Sequence, residues 1–225
     1  MAIAEGMIGV VLAGGYGAEV PTAVPFGGRE AALHTNPVSM GFPSGDETPM
    51  FFDFATTTIA GTKANLAKNR GEQVPPGSMV DDEGNLTTDA SGWPDTRALT
   101  AFGQHKGYAI MLANEVMGRI LSDADSYADT EKGGVTMRHQ GVTMIAIKAD
   151  LFQPLARFEG RVDDLERKMR AVPPAKGFQE VLVPGDMEAR ARDSRSRDGI
   201  PVMDDIWASL TGLADEFGVA LPSVS

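Results

Sequence analysis

The 225-residue sequence contains no cysteine and only three histidines, which excludes several kinds of site at the outset. Without cysteine there is no disulfide framework, no thiol nucleophile and no thiolate metal ligand. His34, His105 and His139 are far apart and lack the spacing of metal ligands. We therefore expect no metal site.

Positive charge is also scarce, since 20 lysines and arginines stand against 31 acidic residues, a net charge of −11. Nucleic acids and anionic membrane surfaces attract basic proteins, so neither is expected as a partner. No apolar run reaches the roughly 18 residues that a membrane-spanning helix needs, and no signal-peptide pattern is present. With 42% hydrophobic residues the composition is that of a globular protein, which we expect to be cytoplasmic.

The most informative stretch is Phe102–Leu121, in which a glycine-containing loop leads into an apolar segment. Two glycines flank His105 and Lys106, and residues 108–121 predict a helix that is apolar on nearly every face and therefore buried. The N-terminus of a helix offers free N–H groups and the positive end of its dipole, to which Lys106 adds a full charge. This pattern is typical of a phosphate or carboxylate site, although a lysine that only reaches from a core helix into solvent gives the same pattern.

Five segments predict strands, and helical patterns lie between and after them. The strands are expected at Ile8–Leu12, Val38–Phe42, Met50–Phe54, Val142–Ile147 and Phe178–Val183. The glycine-rich loop after the first strand lacks the third glycine of a dinucleotide fingerprint, and prolines follow it, so a Rossmann site is not favoured. The order of elements predicts an α/β fold with a helical C-terminal part.

Asp53 lies near the end of the third strand, just before a helix that Gly71 is expected to close. Thr56, Thr57 or Thr58 can cap that helix. A carboxylate at such a junction can accept hydrogen bonds from ribose hydroxyls, or it can itself cap the helix. The local pattern does not separate these two roles.

The second half of the chain predicts three further helices. Pro154–Ala171 predicts an amphipathic helix with an apolar stripe that belongs to the core, followed by a polar helix at 187–197 and a last helix near 204–217. By contrast, Gln73–Arg97 is the most loop-like part of the chain, and its alternating acidic residues are typical of a solvated turn, not of a calcium loop.

Eight short motifs occur in the order that is found in one known family. They are Pro25-Phe-Gly-Gly-Arg29, Thr35-Asn-Pro37, Phe52-Asp-Phe-Ala-Thr-Thr57, Gly84-Asn-Leu-Thr-Thr-Asp89, His105-Lys-Gly-Tyr108, Pro173-Pro174 with Gly177, Val183-Pro-Gly-Asp186 and Gly199-Ile-Pro201. With them the chain resembles the malate/L-lactate dehydrogenase family of NAD(P)-dependent oxidoreductases, which is unrelated to the Rossmann lactate dehydrogenases.

The resemblance implies a non-Rossmann, mixed-sheet domain that binds NAD or NADP. It implies a hydride transfer between the nicotinamide and a small 2-hydroxy or 2-oxo acid, in a protein that is typically a homodimer. The cofactor-binding residues that it implies are Asp53, Phe54, Ala55, His105, Lys106, Gly185, Asp186 and Met187.

Members of this family also have an additional N-terminal portion that holds their catalytic histidines and substrate arginines. None of His34, His105 and His139 matches the catalytic position, so we expect a cofactor site without a catalytic residue. Met1–Gly6 is typical of the end of a helix closed by glycine, which suggests that a portion precedes it, although a frayed arm is the alternative.

We expect residues 1–150 to form the NAD(P)-binding domain. Residues 151–225 should form a helical part that packs on it and on the missing portion or a partner subunit, and the isolated chain should then expose an apolar patch. Two alternatives remain, a non-catalytic dinucleotide-binding or dimerisation module and a truncated product without a role. The sequence does not decide between NAD and NADP, and it does not identify the acid that is the substrate.

Overall fold

A computed structural model describes residues 1–15, 21–127 and 140–221. The chain divides into two compact units, Met1–Pro184 and Gly185–Ser225. The assignment of residues 1–150 to cofactor binding concerns function and stays a prediction. In the described part of the chain, no helix is both long and apolar enough to cross a membrane.

The first unit contains a sheet of four antiparallel strands. These are β1 (Met7–Gly15), β2 (Val38–Phe42), β3 (Met50–Phe54) and, late in the chain, β7 (Gln140–Lys148), and they pair in the order β3-β2-β1-β7. Four of the five predicted strands are therefore confirmed. The fifth, Phe178–Val183, is wrong: the segment has no regular secondary structure, because it pairs with no strand of the described chain.

A second, three-stranded sheet occupies the segment that the sequence predicts to be a loop. Its strands are β4 (Met79–Asp81), β5 (Leu86–Thr87) and β6 (Arg97–Leu99), in the order β5-β4-β6. The strands are too short for a periodic pattern, which is why the sequence does not show them. The turn between β4 and β5 is formed as predicted, with Asp81 Oδ1 accepting the N–H groups of Glu83 and Asn85.

The main core of this unit lies between the second sheet and two helices. The helices are α1 (Gly61–Arg70) and α2 (His105–Asn114), the second of which continues as a π-helical turn over Glu115–Ile120. Buried side chains from all these elements meet there, among them Ala23, Leu33, Ile59, Ala64, Met79, Leu99 and Met111. The loop before α1 is tied to the loop before β2, since Thr56 Oγ1 donates to the carbonyls of Thr35 and Asn36.

The predicted caps of α1 are half correct. Gly71 closes the helix in a left-handed conformation, with φ 64°, as expected. The prediction that Thr56, Thr57 or Thr58 caps its start is wrong, because α1 begins at Gly61 and these threonines precede it by a turn. Their hydroxyls bind loop carbonyls instead.

Helix α2 is not buried on nearly every face, so that prediction is wrong. Its π-helical turn lies against β1 and β7 through small and polar residues, and Gly118 approaches so closely that an added Cβ would lie 2.1 Å from the Gly14 nitrogen. The apolar residues face outward, with Val116 51% and Ile120 60% exposed. The reason is that close backbone packing selects glycine for the inner face and leaves the larger side chains outside.

Helix α3 (Leu155–Arg170) also buries a polar face. Its side chains Asp163 and Glu166 are buried, whereas Leu165 and Met169, which the sequence assigns to a core stripe, are 48% and 42% exposed. The prediction that the apolar stripe belongs to the core is therefore wrong for Leu165 and Met169. The cause is a tertiary contact, because Asp163 accepts the backbone N–H groups of Gly45 and Asp46, in the turn between β2 and β3.

The second unit contains two helices, both as predicted. These are α4 (Asp186–Asp198) and α5 (Asp204–Phe217). Gly218, with φ 64°, caps the end of helix α5, and the apolar residues Ile206, Leu210, Leu213 and Phe217 of the helix are exposed.

Candidate functional site

The turn Phe102–Gln104 directs α2 towards the surface with its N-terminus exposed. Gly107 lies in the first turn of the helix and is buried against the Phe102 carbonyl, where an added Cβ would stand 1.8 Å from the oxygen. Only glycine fits there, and its presence lets the loop fold tightly under the helix. His105 and Lys106, which precede Gly107 in the chain, are exposed.

This helix start has the properties of an anion site. Among the residues that the structure describes, the backbone N–H groups of Gln104 and His105 have no acceptor. Free N–H groups and the positive end of the helix dipole favour an anion, and the Lys106 ammonium is one residue away. The predicted geometry of His105 and Lys106 at a helix N-terminus is therefore present.

The end of β3 lies beside this helix start. Asp53 and Phe54 are exposed, and Ala55 is half-buried. The Phe54 ring meets the Phe102 ring edge to face, with centroids 5.6 Å apart, and the Phe102 N–H donates to the Thr56 carbonyl at 3.0 Å. Two segments that are about 50 residues apart in the chain are thus brought together, and the sequence alone predicts no such proximity.

Gly185, Asp186 and Met187 lie in the second unit. Gly185 precedes α4 with φ 106°, a conformation that favours glycine, and Asp186 and Met187 form the first turn of the helix. Their contact with a cofactor stays a prediction.

A cleft of about 680 Å³ adjoins the α2 N-terminus. Its lining comes from the turn before Arg29, the β4–β5 turn and the loop before α2; the lining residues that matter below are Phe26, Val80, Leu86 and Gln104. The Phe26 ring also contacts the His105 ring, with centroids 5.8 Å apart. The cleft and the helix start are therefore adjacent.

Behind the site lies a buried polar network that the sequence does not reveal. The Asn36 amide nitrogen donates to the Met111 carbonyl at 3.0 Å and to Glu115 Oε2 at 2.8 Å. Arg119 pairs with the other oxygen of Glu115 at 2.9 Å, and the Asn114 amide donates to the Asn36 carbonyl. The signal in the sequence is the polar pair Asn114-Glu115 within an otherwise apolar helix, which the helical pattern does not explain.

His34 is half-buried beside this network. Burial lowers the pKa of the His34 imidazole, and the negative charge of Glu115 opposes that shift. The ring is therefore neutral at pH 7, and its Nδ1 lies 3.3 Å from the Thr35 hydroxyl. His139 lies outside the described residues.

Comparison with known proteins identifies the family of this chain. A profile of the malate/L-lactate dehydrogenase family matches residues 1–211. The chain belongs to this family. An L-lactate dehydrogenase of Cupriavidus necator is 35% identical over 207 residues, which are 90% of this chain and 58% of that protein.

Solved structures of the family have the same fold. The sulfolactate dehydrogenase of Methanocaldococcus jannaschii superposes with a TM-score of 0.79 at 31% identity, over 97% of this chain and 61% of that one. A malate dehydrogenase from Entamoeba histolytica gives a TM-score of 0.86 at 25% identity, over 99% of this chain and 64% of that one. The predicted α/β fold is confirmed, and the chain spans about three fifths of the length of these relatives.

Proposed function

We propose that this chain is the nicotinamide-cofactor-binding part of a dehydrogenase that transfers a hydride between NAD or NADP and a 2-hydroxy or 2-oxo acid. The observation that supports this most is the exposed N-terminus of α2, with Lys106 beside it and the end of β3 adjacent. The relatives are named as dehydrogenases of lactate, malate and sulfolactate, which is the class of substrate that we extend to this protein.

The residues fit a dinucleotide. A diphosphate bound at the start of α2 would accept hydrogen bonds from the free N–H groups of Gln104 and His105 and pair with the Lys106 ammonium. The exposed Asp53 carboxylate can accept hydrogen bonds from ribose hydroxyls, and the exposed Phe54 ring offers an apolar surface to the adjoining group. When bound, the cofactor would supply the hydride chemistry, and these residues would orient it.

We assign no catalytic acid or base to this chain. Oxidation of a hydroxy acid needs a group that takes the hydroxyl proton, usually a histidine whose pKa is close to the working pH. Within the described residues, His34 is packed beside the buried network and His105 contacts Phe26 at the cleft. We place the acid/base group in the part of the relatives that has no counterpart in these 225 residues.

A titration of the chain with NADH and with NADPH, followed by the fluorescence of the cofactor, tests the proposal. We expect saturable binding that Lys106→Ala weakens about tenfold, because one charge-assisted contact is lost. Lys106→Arg should retain most of the affinity. The control is Lys63→Ala, which removes an equal charge from the exposed surface of α1. If Lys106→Ala binds as tightly as the parent chain, or if neither cofactor binds, the proposal is wrong.

One observation favours a second role, in assembly. On the sheet face opposite the π-helical turn, strand β7 exposes Val142 and Met144, the latter by 76%. We propose that this apolar surface forms part of a homodimer or of the contact with a further portion of the enzyme, because monomers rarely expose so many neighbouring apolar groups. Light scattering should then show self-association that Met144→Lys abolishes. A monodisperse monomer that binds no apolar dye would contradict this role.

A further inference from the structure

Gln104 has a backbone conformation that is unusual for its residue type. Its φ of 58° and ψ of −127° fall in a region that only glycine occupies without strain. Strain of this kind persists where the surrounding structure imposes it, and it is found most often at ligand-binding positions. A glutamine at this point therefore calls for a reason other than the turn itself.

The side chain of Gln104 makes no contact within the described chain that would offset this strain. It makes no capping hydrogen bond to α2, and its carboxamide has no hydrogen-bond partner in the part of the chain that the structure describes. The side chain is exposed and lines the 680 Å³ cleft. A carboxamide at this place presents a donor and an acceptor side by side to whatever enters the cleft.

The other walls of the cleft suit a flat ring. Phe26 is 55% exposed on one side, and Val80 and Leu86 contribute apolar surface elsewhere. The volume lies within the usual range of small-molecule pockets, about 300–1,000 Å³. Since Phe26 contacts His105, the cleft lies next to the start of α2. A single nucleotide can therefore place its ring in the cleft and its diphosphate at the helix start.

We propose that this cleft binds the adenine nucleoside of the cofactor, with the Gln104 carboxamide hydrogen-bonded to the edge of the base. This assignment rests on the proposed function for the position of the diphosphate. Adenine offers an amino donor next to a ring-nitrogen acceptor, which is the pattern that a glutamine amide matches with two hydrogen bonds. Phe26 supplies a ring on which the base can stack.

The test uses saturation-transfer NMR on the 225-residue chain with AMP, nicotinamide mononucleotide and NADH as separate probes. We expect saturation of the adenine protons of AMP and NADH. Gln104→Gly should weaken AMP binding about tenfold, the loss expected for a two-bond contact to a base. The same change should raise the melting temperature, because glycine adopts this backbone conformation without strain, so weaker binding cannot result from misfolding.

Phe26→Ala should likewise weaken AMP binding, and the exposed Lys63→Ala should leave it unchanged. Unaltered AMP binding in Gln104→Gly, or no saturation of AMP at millimolar concentration, would overturn the assignment. The outcomes separate the two proposals. NADH binding that depends on Lys106 but not on Gln104 would refute only the cleft. AMP binding in the cleft without any binding of NADH or NADPH would refute the proposed function and leave the cleft as a site for an adenine nucleotide other than the cofactor.

Discussion

The Phe102 ring meets the Phe54 ring edge to face, with centroids 5.6 Å apart and ring planes at 88°. This contact joins the end of β3 to the start of α2, and the hydrogen bond from the Phe102 N–H to the Thr56 carbonyl runs beside it. The two segments that we assign to cofactor binding are thereby held in a fixed relation. Because the two segments are far apart in the sequence, only the tertiary structure brings them together.

Phe102→Ala should therefore weaken binding as well as stability. We expect a loss of about 2 kcal/mol in the free energy of unfolding, below the usual cost for a fully buried phenylalanine because this ring is only half-buried. NADH affinity should fall several-fold, because the helix start is no longer held against β3. Urea denaturation and a fluorescence titration measure the two effects, with Phe102→Leu as the milder control. An unchanged NADH affinity would show that the ring contact does not position the site.

Two helical glycines, one closely packed and one in open space, give a matched pair of substitutions. A Cβ on Gly118 would lie 2.1 Å from the Gly14 nitrogen, whereas a Cβ on Gly160 in α3 would meet nothing within 4 Å. Gly118→Ala should therefore lower the free energy of unfolding by more than about 3 kcal/mol, as severe overpacking does. Gly160→Ala should raise it by about 0.5–1 kcal/mol, because alanine has the higher helix propensity. Thermal melts followed by circular dichroism measure both. Equal melting temperatures for the two variants would contradict the packing of α2 on β1.

Asn36 is the centre of the buried network, with no exposed surface. Its replacement by alanine removes a hydrogen bond from the buried carboxylate of Glu115 and another from the Met111 carbonyl. We expect the free energy of unfolding to fall by about 3 kcal/mol, because the buried Glu115 carboxylate loses one of its hydrogen-bond donors. Adding Glu115→Gln to this variant should restore part of the stability. A loss below about 1 kcal/mol in urea denaturation would mean that the network contributes little.

The two buried carboxylates of α3 should respond to pH with opposite signs. Burial alone would raise the pKa of Asp163, but the N–H groups of Asp46, Gly45 and Glu47 outweigh it, so the pKa is lowered. Burial raises the pKa of Glu166, and Arg170 only partly opposes it. Asp163 therefore stabilises the fold above its unfolded pKa of 3.8, and this stabilisation is lost as the pH falls. The contribution of Glu166 is full below its unfolded pKa of 4.5 and is lost as the pH rises through the folded value.

Asp163→Asn should accordingly destabilise the protein by about 1–2 kcal/mol near pH 7 and by little near pH 3. Glu166→Gln keeps an acceptor for Arg170. Because the variant has no carboxyl group to titrate, it should not show the loss of stability that the parent chain shows as the pH rises from about 4 to 7. Urea denaturation across this range measures both slopes. Parallel pH profiles for the two variants would contradict the assigned pKa directions.

The sequence predicts the elements of this fold better than it predicts their burial. The strand Val38–Phe42 and the helix Asp204–Phe217 lie where their periodicity places them. The burial of α2 and α3 is not predicted, because the sequence pattern records only which face is apolar. Close glycine packing at Gly118 and the hydrogen bonds of Asp163 decide which face is actually covered.

The candidate site is predictable only in part for the same reason. Lys106 at a helix N-terminus follows from the local pattern of glycines and apolar residues. The contact of Phe102 with Phe54 and the strained turn at Gln104 depend on tertiary structure, which leaves no periodic signal. For Asp53 the local pattern leaves a structural role and a ligand role open, and for Gly185 only the family resemblance implies a contact with the cofactor.

A crystal structure of the chain with bound NADH tests the central claim most directly. We predict that the diphosphate oxygens lie about 3 Å from the Lys106 ammonium and from the backbone nitrogen of His105. A diphosphate bound elsewhere on the molecule, with Lys106 in solvent, would contradict the proposed site.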